Sequence, residues 1–347
     1  MIEASNPKIL IIYTGGTIGM IQDPLTQTLV PFNFESIYDQ VPRLLFYDIE
    51  VNTFAFENPI DSSDMQPEDW QQIAEKIHEN YNEYDGFVIL HGTDTMAYTA
   101  SALSFMFENL SKPVILTGSQ LPLGIPRTDG RNNIINAVEI AAAKRQDGSP
   151  VISEVCICFE NKLYRGNRTY KNNAENFNAF VSPNYPILAN IGVNIKYNYD
   201  CIAKVPQEKM TLCAKMDSNM AILKLYPGIT RNIVQSILET KELHGVVLET
   251  YGAGNSNKSA WFLELLSEAI ARGIVIINVT QCKGGGGVKE GKYESSFLLG
   301  KLGIISGYDI ITESAVTKLM YLWGREKDVG RVKALLGKSL RGEITVE

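Results

Sequence analysis

The chain has 347 residues, of which 45% are hydrophobic and 20% charged, so its composition is that of an ordinary globular protein. A net charge of −7 without a long Lys/Arg cluster is not the pattern of a nucleic-acid-binding protein. No apolar run reaches the ~20 residues that span a bilayer, and no secretory signal pattern opens the chain. Five cysteines without the spacing of a disulfide framework favour a reducing compartment. We therefore expect a cytoplasmic protein that binds neither nucleic acid nor membrane.

Two apolar segments that end in hydroxyl-bearing turns organise the first half of the chain. Residues 8–12 predict a buried parallel strand, because both of its faces are apolar, and a glycine-rich turn follows at once. Residues 86–90 predict a second strand of the same kind, which leads into a similar turn and then a helix. Open α/β sheets bind ligands at the carboxyl ends of their strands. If the two strands are neighbours, Thr17, Thr93 and Asp94 converge on one crevice.

Strand and helix patterns alternate along the chain, which favours a mostly parallel sheet. In the first half the patterns predict strands at 47–56, 114–116 and 154–159 and helices at 67–81, 97–107 and 129–144. After a stretch rich in Asn, Pro and Tyr, they predict strands at 220–223, 246–248 and 275–277 and helices near 258–271, 312–323 and 329–336. We predict a catalytic α/β domain at 1–198, a linker at 199–218 and a C-terminal α/β domain at 219–347.

Short motifs in a fixed order along nearly the whole chain carry a family resemblance. They lie at 14–19, 61–65, 91–96, 117–120, 163–171, 251–255 and 340–343. With Thr-Gly-Gly-Thr-Ile-Gly and His-Gly-Thr-Asp-Thr-Met as its signature pair, the chain resembles the bacterial-type L-asparaginases, and in particular their cytoplasmic type I branch. The resemblance implies a two-domain fold, with a larger N-terminal mostly parallel sheet flanked by helices and a smaller C-terminal α/β domain. It also implies hydrolysis of L-asparagine to L-aspartate and ammonia, without a metal or organic cofactor.

The resemblance assigns catalysis to four residues. It makes Thr17 the nucleophile that attacks the side-chain amide carbon, followed by either an acyl-enzyme or direct attack by water, and it joins Thr93, Asp94 and Lys171 in a hydroxyl–carboxylate–amine set. The backbone N–H of Thr93 is a candidate donor to the oxyanion. From the residues alone, both threonines could instead cap helices, Asp94 could be a turn residue and Lys171 a surface lysine. We interpret His91 as a structural hydrogen-bonding residue rather than a base.

The charged groups of the substrate have their own expected partners. The resemblance places Asp94 beside the α-ammonium group and Ser62 beside the α-carboxylate, with Asp61 and Ser63 on either side of Ser62. It adds Ser119, in the motif that follows a third strand, to the substrate-binding residues.

Asn255 is the residue through which the resemblance predicts an oligomer. It lies in a glycine-rich turn, where an ordinary turn asparagine is the simpler interpretation. In the family the matching residue reaches the active site of a neighbouring subunit. We therefore expect a homo-oligomer, a dimer of intimate dimers, with L-asparagine and L-aspartate as its ligands.

The segment after the first motif departs from the family. Many relatives carry a tyrosine there as the partner of the first threonine, but residues 20–37 contain none, Tyr38 lies further along and Tyr13 precedes the motif. The base for Thr17 is therefore unassigned. Residues 20–31 are still expected to form a lid that orders on substrate or product.

Two other functions fit parts of the pattern. The nearest enzyme is the amidotransferase subunit that deamidates on behalf of tRNA, but it usually carries an extra N-terminal domain, and seven residues precede the first strand here. A catalytically inactive amino-acid sensor is supported by the missing tyrosine and opposed by the intact catalytic set. Assays of ammonia release from asparagine and glutamine separate these functions.

Overall fold

The computed structural model describes residues 6–22, 29–31, 37–289, 291 and 293–345. The chain divides into two compact units, Met1–Ala214 and Lys215–Glu347. The division lies within residues 199–218, and the exact limits of the domains remain a prediction.

The N-terminal unit is built mainly on strands. They are β1 (Lys8–Tyr13), β2 (Met20–Gln22), β3 (Leu29–Pro31), β4 (Glu50–Ala55), β5 (Gly86–Leu90), β6 (Phe107–Glu108), β7 (Val114–Thr117), β8 (Val155–Phe159), β9 (Lys162–Arg165), β10 (Tyr170–Lys171), β11 (Phe180–Val181), β12 (Ala189–Ile191), β13 (Ile195–Tyr197) and β14 (Thr211–Leu212). The helices are α1 (Ile37–Gln40), α2 (Pro67–Glu79), α3 (Met96–Met106) and α4 (Gly130–Ala142), with 3-10 helices at Thr17–Gly19, Pro42–Phe46, Ser62–Asp64 and Gly166–Arg168.

Eight of these strands form one mixed sheet, in the order β13-β12-β9-β8-β7-β5-β1-β4. Strands β4, β1, β5, β7 and β8 are parallel to one another, whereas β9, β12 and β13 pair antiparallel at one side. Helix α4 contacts β1, β5, β7 and β8, and α3 contacts α2 and β8. The chain leaves β1 for β4 on one side and then crosses to β5 on the other. Strand β1 therefore lies at a topological switch point, where such sheets bind ligands.

The C-terminal unit is a smaller α/β layer structure. Its elements are β15 (Met220–Lys224), α5 (Arg231–Leu238), β16 (Gly245–Thr250), α6 (Ala260–Ala271), β17 (Val275–Thr280), α7 (Glu294–Lys301), β18 (Ile305–Ser306), α8 (Thr312–Arg325) and α9 (Val329–Leu336). The four strands are all parallel, in the order β15-β16-β17-β18. The predicted fold class, a larger mostly parallel sheet with flanking helices followed by a smaller α/β domain, is confirmed.

A buried ion pair holds the end of the chain against helix α8. The side chains of Lys318 and Glu343 have no exposed surface, and their charged atoms lie 2.6 Å apart. Lys318 Nζ also donates to two backbone carbonyl oxygens, and Glu343 accepts from the N–H groups of Leu340 and Arg341. Although burial acts to raise it, the Lys318 ammonium and these N–H groups hold the pKa of Glu343 below its usual value. Both charges are therefore well satisfied, as buried ions must be.

The expected lid differs in part from the prediction. Residues 20–31 were predicted as a loop, but strands β2 and β3 pair antiparallel at its two ends, with Met20 opposite Pro31. Residues 23–28, between the strands, lie outside the described residues, so the closure of a lid remains a prediction.

Candidate active site

The predicted site residues follow four neighbouring strands at one edge of the large sheet. Ser62 follows β4, Thr17 follows β1, Thr93 and Asp94 follow β5, and Ser119 follows β7. In the sheet these strands stand in the order β4-β1-β5-β7 and all run the same way. Their carboxyl ends therefore meet at the same edge.

Glycines let the turns approach until their backbones touch. Gly16 has φ +84°, and a Cβ atom added there would lie 2.5 Å from the Cα of Gly92. A Cβ added to Gly92 would lie 2.4 Å from Ser62 Oγ. No side chain fits in these gaps, so the turns of Thr17, Thr93 and Ser62 are in direct contact.

Threonine hydroxyls fix the turns to one another. Both the backbone N–H and the hydroxyl of Thr14 donate to the carbonyl oxygen of Leu90, each over 3.1 Å. Thr95 Oγ1 donates to the carbonyl oxygen of Ser62 over 2.6 Å. These hydrogen bonds hold the turns after β1, β4 and β5 together, in addition to the backbone hydrogen bonds between the strands.

Lys171 joins the site from outside the large sheet. It ends strand β10, which pairs with β11 in a separate two-stranded sheet. Its Nζ atom donates to Thr93 Oγ1 over 2.8 Å and to Asp94 Oδ1 over 2.7 Å. The Lys171 side chain is 17% exposed and that of Asp94 is 64% exposed, so the lysine is no ordinary surface residue. The structure therefore brings the three residues of the expected set together.

Neither threonine caps a helix, which was the alternative interpretation of both. The 3-10 helix that Thr17 opens has Gly16 as its N-cap, and α3 has Thr95 as its N-cap without a side-chain cap bond. Thr17 is exposed, and within the described ranges no residue forms a hydrogen bond with its hydroxyl. Among the described residues, the protein itself does not use the Thr17 hydroxyl.

No base for Thr17 emerges from the nearby tyrosines. The Tyr13 ring packs against Gly19, its hydroxyl lies 3.4 Å from the carbonyl oxygen of Gly16, and burial raises its pKa to about 12. A phenol with that pKa keeps its proton at neutral pH and is not a base. The Tyr38 hydroxyl donates to the carbonyl oxygen of Val51. Residues 23–28 of the expected lid, which include Thr26 and Thr28, lie outside the described residues.

Asp61, Ser62 and Ser63 form a compact turn after β4. The Asp61 carboxylate accepts from the backbone N–H and the hydroxyl of Ser63, both over 2.9 Å. These two bonds hold the pKa of Asp61 below its usual value, although burial opposes them. Asp61 and Ser63 therefore satisfy each other, and the buried Ser62 is the member that faces the turn of Gly92.

Ser119 has a hydroxyl that no other described group uses. Its side chain is 3% exposed, and its Oγ atom has no hydrogen-bond partner among the residues described here. The preceding peptide is fixed, because Asn133 Nδ2 donates to the carbonyl oxygen of Gly118 over 2.9 Å. A fixed buried hydroxyl without a partner is suited to binding a ligand group.

His91 is buried beneath the turn and bonds to the protein, as the sequence predicts for a structural residue. Its ring contacts Thr99 of α3 and the backbone of Gly92. Burial lowers its pKa to about 4, so it is neutral at physiological pH. Sequence reasoning did not find the bond of Thr99 to His91 or that of Trp70 to Thr99, because neither residue belongs to a motif.

Asn255 lies in the C-terminal unit, in the turn after β16. Its backbone bonds with that of Tyr251, and its side-chain Oδ1 accepts from Ser295 Oγ over 2.9 Å. Asn255 is therefore held as a turn residue within its own chain, and its expected role in a neighbouring subunit stays a prediction.

Comparison with known proteins identifies the family. The model described as asparaginase, N-terminal, matches residues 8–203, and that of the glutaminase/asparaginase C-terminal domain matches residues 219–336. The chain belongs to the asparaginase family. It is 43% identical to L-asparaginase 1 of Escherichia coli over 341 residues, which are 97% of this chain and 98% of that protein. The resemblance predicted from the motifs is confirmed.

Solved structures and more distant relatives agree with this family. The structure matches that of L-asparaginase I from Vibrio cholerae with a TM-score of 0.89 and 40% identity, over 98% of this chain and 100% of the other. A relative of the rival class, a glutamyl-tRNA(Gln) amidotransferase component from Pyrococcus abyssi, is 31% identical over 350 residues, which are 98% of this chain and 77% of that protein.

Two further features of the fold bear on partners. Within the ranges that the structure describes, no helix is both long and apolar enough to cross a bilayer. In the same ranges, His, Cys, Asp and Glu side chains form no group of three or more that could hold a metal ion.

Proposed function

We propose that the protein is an L-asparaginase, an amidohydrolase that converts L-asparagine and water into L-aspartate and ammonia in the cytoplasm. The observation that carries the proposal is the contact of Lys171 Nζ with Thr93 Oγ1 and Asp94 Oδ1, at a turn that touches the turn of Thr17. An amine that bonds a hydroxyl can move a proton through it and assist attack on a nearby amide carbon.

The substrate is held by its α-amino and α-carboxylate groups. The exposed carboxylate of Asp94 pairs with the α-ammonium group, and the Ser62 hydroxyl donates to the α-carboxylate. Ser119 offers a further hydroxyl, whose lack of a protein partner supports this role. Fixing both ends of the short substrate leaves its side-chain amide directed at the crevice between the first two turns.

The hydrolysis uses amino-acid side chains and water. Thr17 Oγ1 attacks the amide carbon and gives up its hydroxyl proton, the leaving nitrogen takes up a proton, and the C–N bond breaks to release ammonia. Water then attacks the resulting ester and returns a proton to Thr17 Oγ1 as aspartate leaves. Thr93 and Lys171 carry the proton, because their hydrogen bond links the crevice to the amine. A hydroxyl, an amine and a carboxylate supply the nucleophile and the proton transfer, so the proposal needs neither a metal nor an organic cofactor.

Ammonia release by the purified protein tests the proposal. We expect release from L-asparagine, with kcat lowered by a factor of about 10² to 10⁴ in Thr17→Val and Thr93→Val, since each loses a hydroxyl but keeps its β-branched shape. Thr17→Ser, which keeps the hydroxyl, is the matched control and should retain measurable turnover. Binding of asparagine without turnover in the wild type would instead indicate a sensor, and turnover that requires charged tRNA would indicate an amidotransferase subunit.

We also propose a homo-oligomer in which Asn255 completes the site of a neighbouring subunit. The family resemblance supports this role. Mixing two inactive variants tests it, because a Thr17→Val subunit still provides Asn255 and an Asn255→Ala subunit still provides Thr17. Unfolding and refolding the two together should restore activity, whereas refolding either alone should not. No recovery in a mixture that light scattering shows to be oligomeric would refute the shared site.

A further inference from the structure

A buried hydrogen-bond chain runs from helix α2 through helix α3 to the turn of Thr93. Trp70 Nε1 donates to Thr99 Oγ1 over 2.9 Å, and Thr99 Oγ1 lies 2.9 Å from His91 Nε2. His91 Nδ1 lies 2.6 Å from the carbonyl oxygen of Gly92. His91 and Thr99 have no exposed surface, so water does not compete for these bonds.

Only one arrangement of protons satisfies every member of this chain. A carbonyl oxygen only accepts, so His91 Nδ1 must carry the proton that it donates to Gly92. The ring is neutral at pH 7, which makes His91 Nε2 an acceptor. Thr99 accepts from the indole of Trp70 and therefore donates its own proton to Nε2. The chain thus fixes one tautomer of His91.

The bond to Gly92 also sets the direction of the next N–H group. The described chain contains no cis peptide bond, so the C=O of Gly92 and the N–H of Thr93 point in opposite directions across their shared peptide. The C=O points at the buried His91 ring, and the N–H therefore points away from it. Among the described residues, no hydrogen bond uses this N–H.

We propose that His91 is a positioning residue, which orients and polarises the Gly92–Thr93 peptide so that Thr93 N–H donates to the oxyanion of the reacting amide. A hydrogen bond to the C=O of an amide strengthens the N–H of the same amide as a donor. A donor fixed in advance costs no reorganisation when the negative charge develops. The inference rests on the proposed function, because it requires an amide carbon at this turn. His91 itself exchanges no proton and touches no substrate atom.

Two substitutions at position 91 separate the two ring nitrogens. His91→Asn keeps an N–H donor near the place of Nδ1, whereas His91→Gln keeps a polar group only near the place of Nε2. We expect His91→Gln to lower kcat about tenfold or more with KM changed less than about twofold, and His91→Asn to stay within about threefold of the wild-type kcat. Equal kcat in wild type and both variants would overturn the inference. Equal losses in the two variants would also overturn it, since they would indicate a packing role alone.

Thr99 offers a second matched pair, one step further from the crevice. Thr99→Ser keeps the hydroxyl that holds His91 Nε2 as an acceptor, and Thr99→Val removes it at nearly the same volume. We expect Thr99→Val to lower kcat by a factor of a few with KM unchanged, and Thr99→Ser to leave kcat unchanged. An unchanged kcat in a folded Thr99→Val would show that the chain of bonds does not control the turn, contrary to the inference.

The tautomer of His91 can be measured by NMR on the wild type, which requires neither catalysis nor an active variant. The protein has three histidines, His78, His91 and His244, so ¹⁵N spectra of histidine-labelled wild type are simple to assign. At pH 7.5, His91 should show a protonated Nδ1 and an unprotonated Nε2. The opposite tautomer would overturn the inference even if the variants fail to fold. A wild type that does not hydrolyse asparagine refutes the proposed function, whereas an active wild type with the opposite tautomer refutes this inference alone.

Discussion

At the scale of single residues, Asp94 and Lys171 share one ion pair but are expected to do different work. Asp94 is exposed and faces the α-ammonium group of the substrate in our proposal, whereas Lys171 is mostly buried and faces Thr93. We expect Asp94→Asn to raise KM and to lower kcat, because it weakens substrate binding and the Lys171 contact together. Lys171→Met should lower kcat by a factor of about 10² or more with a smaller change in KM.

Steady-state kinetics with asparagine at fixed pH measure both effects. Lys76→Met, which removes a lysine from an exposed pair with Glu79 on α2, is the matched control and should leave both constants unchanged. If KM rises only in Lys171→Met and kcat falls only in Asp94→Asn, the two assignments must be exchanged.

His91 also predicts how stability depends on pH. Its pKa is about 4 in the folded protein, against an ordinary value of 6.5. Below pH 6.5 the unfolded chain therefore takes up a proton that the folded protein does not, so stability falls as the pH falls from 6.5 to 4 and this contribution is constant below pH 4. The total loss is about 3 kcal/mol, of which about 2 kcal/mol has occurred by pH 5.

Urea unfolding at several pH values measures this loss. The asparagine of His91→Asn does not titrate, and the carboxylates contribute equally to both proteins. The difference in free energy of unfolding between wild type and variant should therefore shrink by about 2 kcal/mol from pH 7 to pH 5. A difference that does not depend on pH would mean that His91 is protonated in the folded state as readily as in the unfolded one.

At the scale of elements, the contact between the turns of β1 and β5 should depend on the absence of one methyl group. Gly16 and Gly148 have nearly the same positive φ, +84° and +83°, but a Cβ on Gly148 would meet nothing within 4 Å. Gly148→Ala should therefore cost only the backbone strain, about 1–2 kcal/mol, and leave kcat unchanged. Gly16→Ala also places a side chain at a positive φ and in addition forces the turns apart, so it should lose more stability and nearly all activity.

Denaturant unfolding and ammonia release for the two variants provide the test. Similar stability and turnover in both would show that the two turns can separate at little cost.

The longer elements could be predicted from the sequence, because their periods are clear. In α2, the apolar residues Trp70, Ile73, Ala74 and Ile77 recur at helical spacing and are those that the structure buries, although the helix ends at Glu79 rather than 81. Helices α5 and α7, eight residues each, were not predicted. In α7, Gly300 and two serines are weak helix formers, whereas in α5 the helical spacing of Ile233, Val234, Ile237 and Leu238 was overlooked. Strands β12 and β13 have three residues each, too short for any alternation, and form only because β9 offers an edge.

The candidate site could be predicted in part. The turns of Thr17 and Thr93 follow from the apolar strands before them, which place both at one edge of a sheet. The position of Lys171 could not be predicted from such a pattern, because it is 78 residues from Thr93 and lies on a two-residue strand. Only the family resemblance points to it. The hydrogen bonds of Trp70 and Thr99 were not predicted, since a buried hydrogen-bond chain between helices leaves no pattern in the sequence.

At the scale of the whole chain, the Lys318–Glu343 pair should make the C-terminal unit sensitive to a single substitution. Removing one partner leaves a buried charge without compensation, which typically costs 3–5 kcal/mol. Glu343→Gln should therefore destabilise strongly, since it also replaces an acceptor that Leu340 and Arg341 use. Replacing both residues, as Lys318→Met with Glu343→Leu, should recover part of that loss.

Trp261 and Trp323 lie in helices of the same unit and report its unfolding by fluorescence. The exposed pair Lys258–Glu294 provides the control, and Glu294→Gln should leave the unfolding midpoint unchanged. If the two glutamine variants unfold at the same denaturant concentration, the buried pair does not stabilise the unit.

The touching backbones of Gly16 and Gly92 also limit how the crevice can be redesigned. Most variants in a library that randomises either position should fail to form this site, because a Cβ on Gly16 would lie 2.5 Å from Gly92 and one on Gly92 would lie 2.4 Å from Ser62 Oγ. A change of substrate scope therefore has to come from a residue outside this contact, such as Ser119. Directed evolution should reach new amides soonest by exchanging that side chain while the two glycines and Ser62 stay constant.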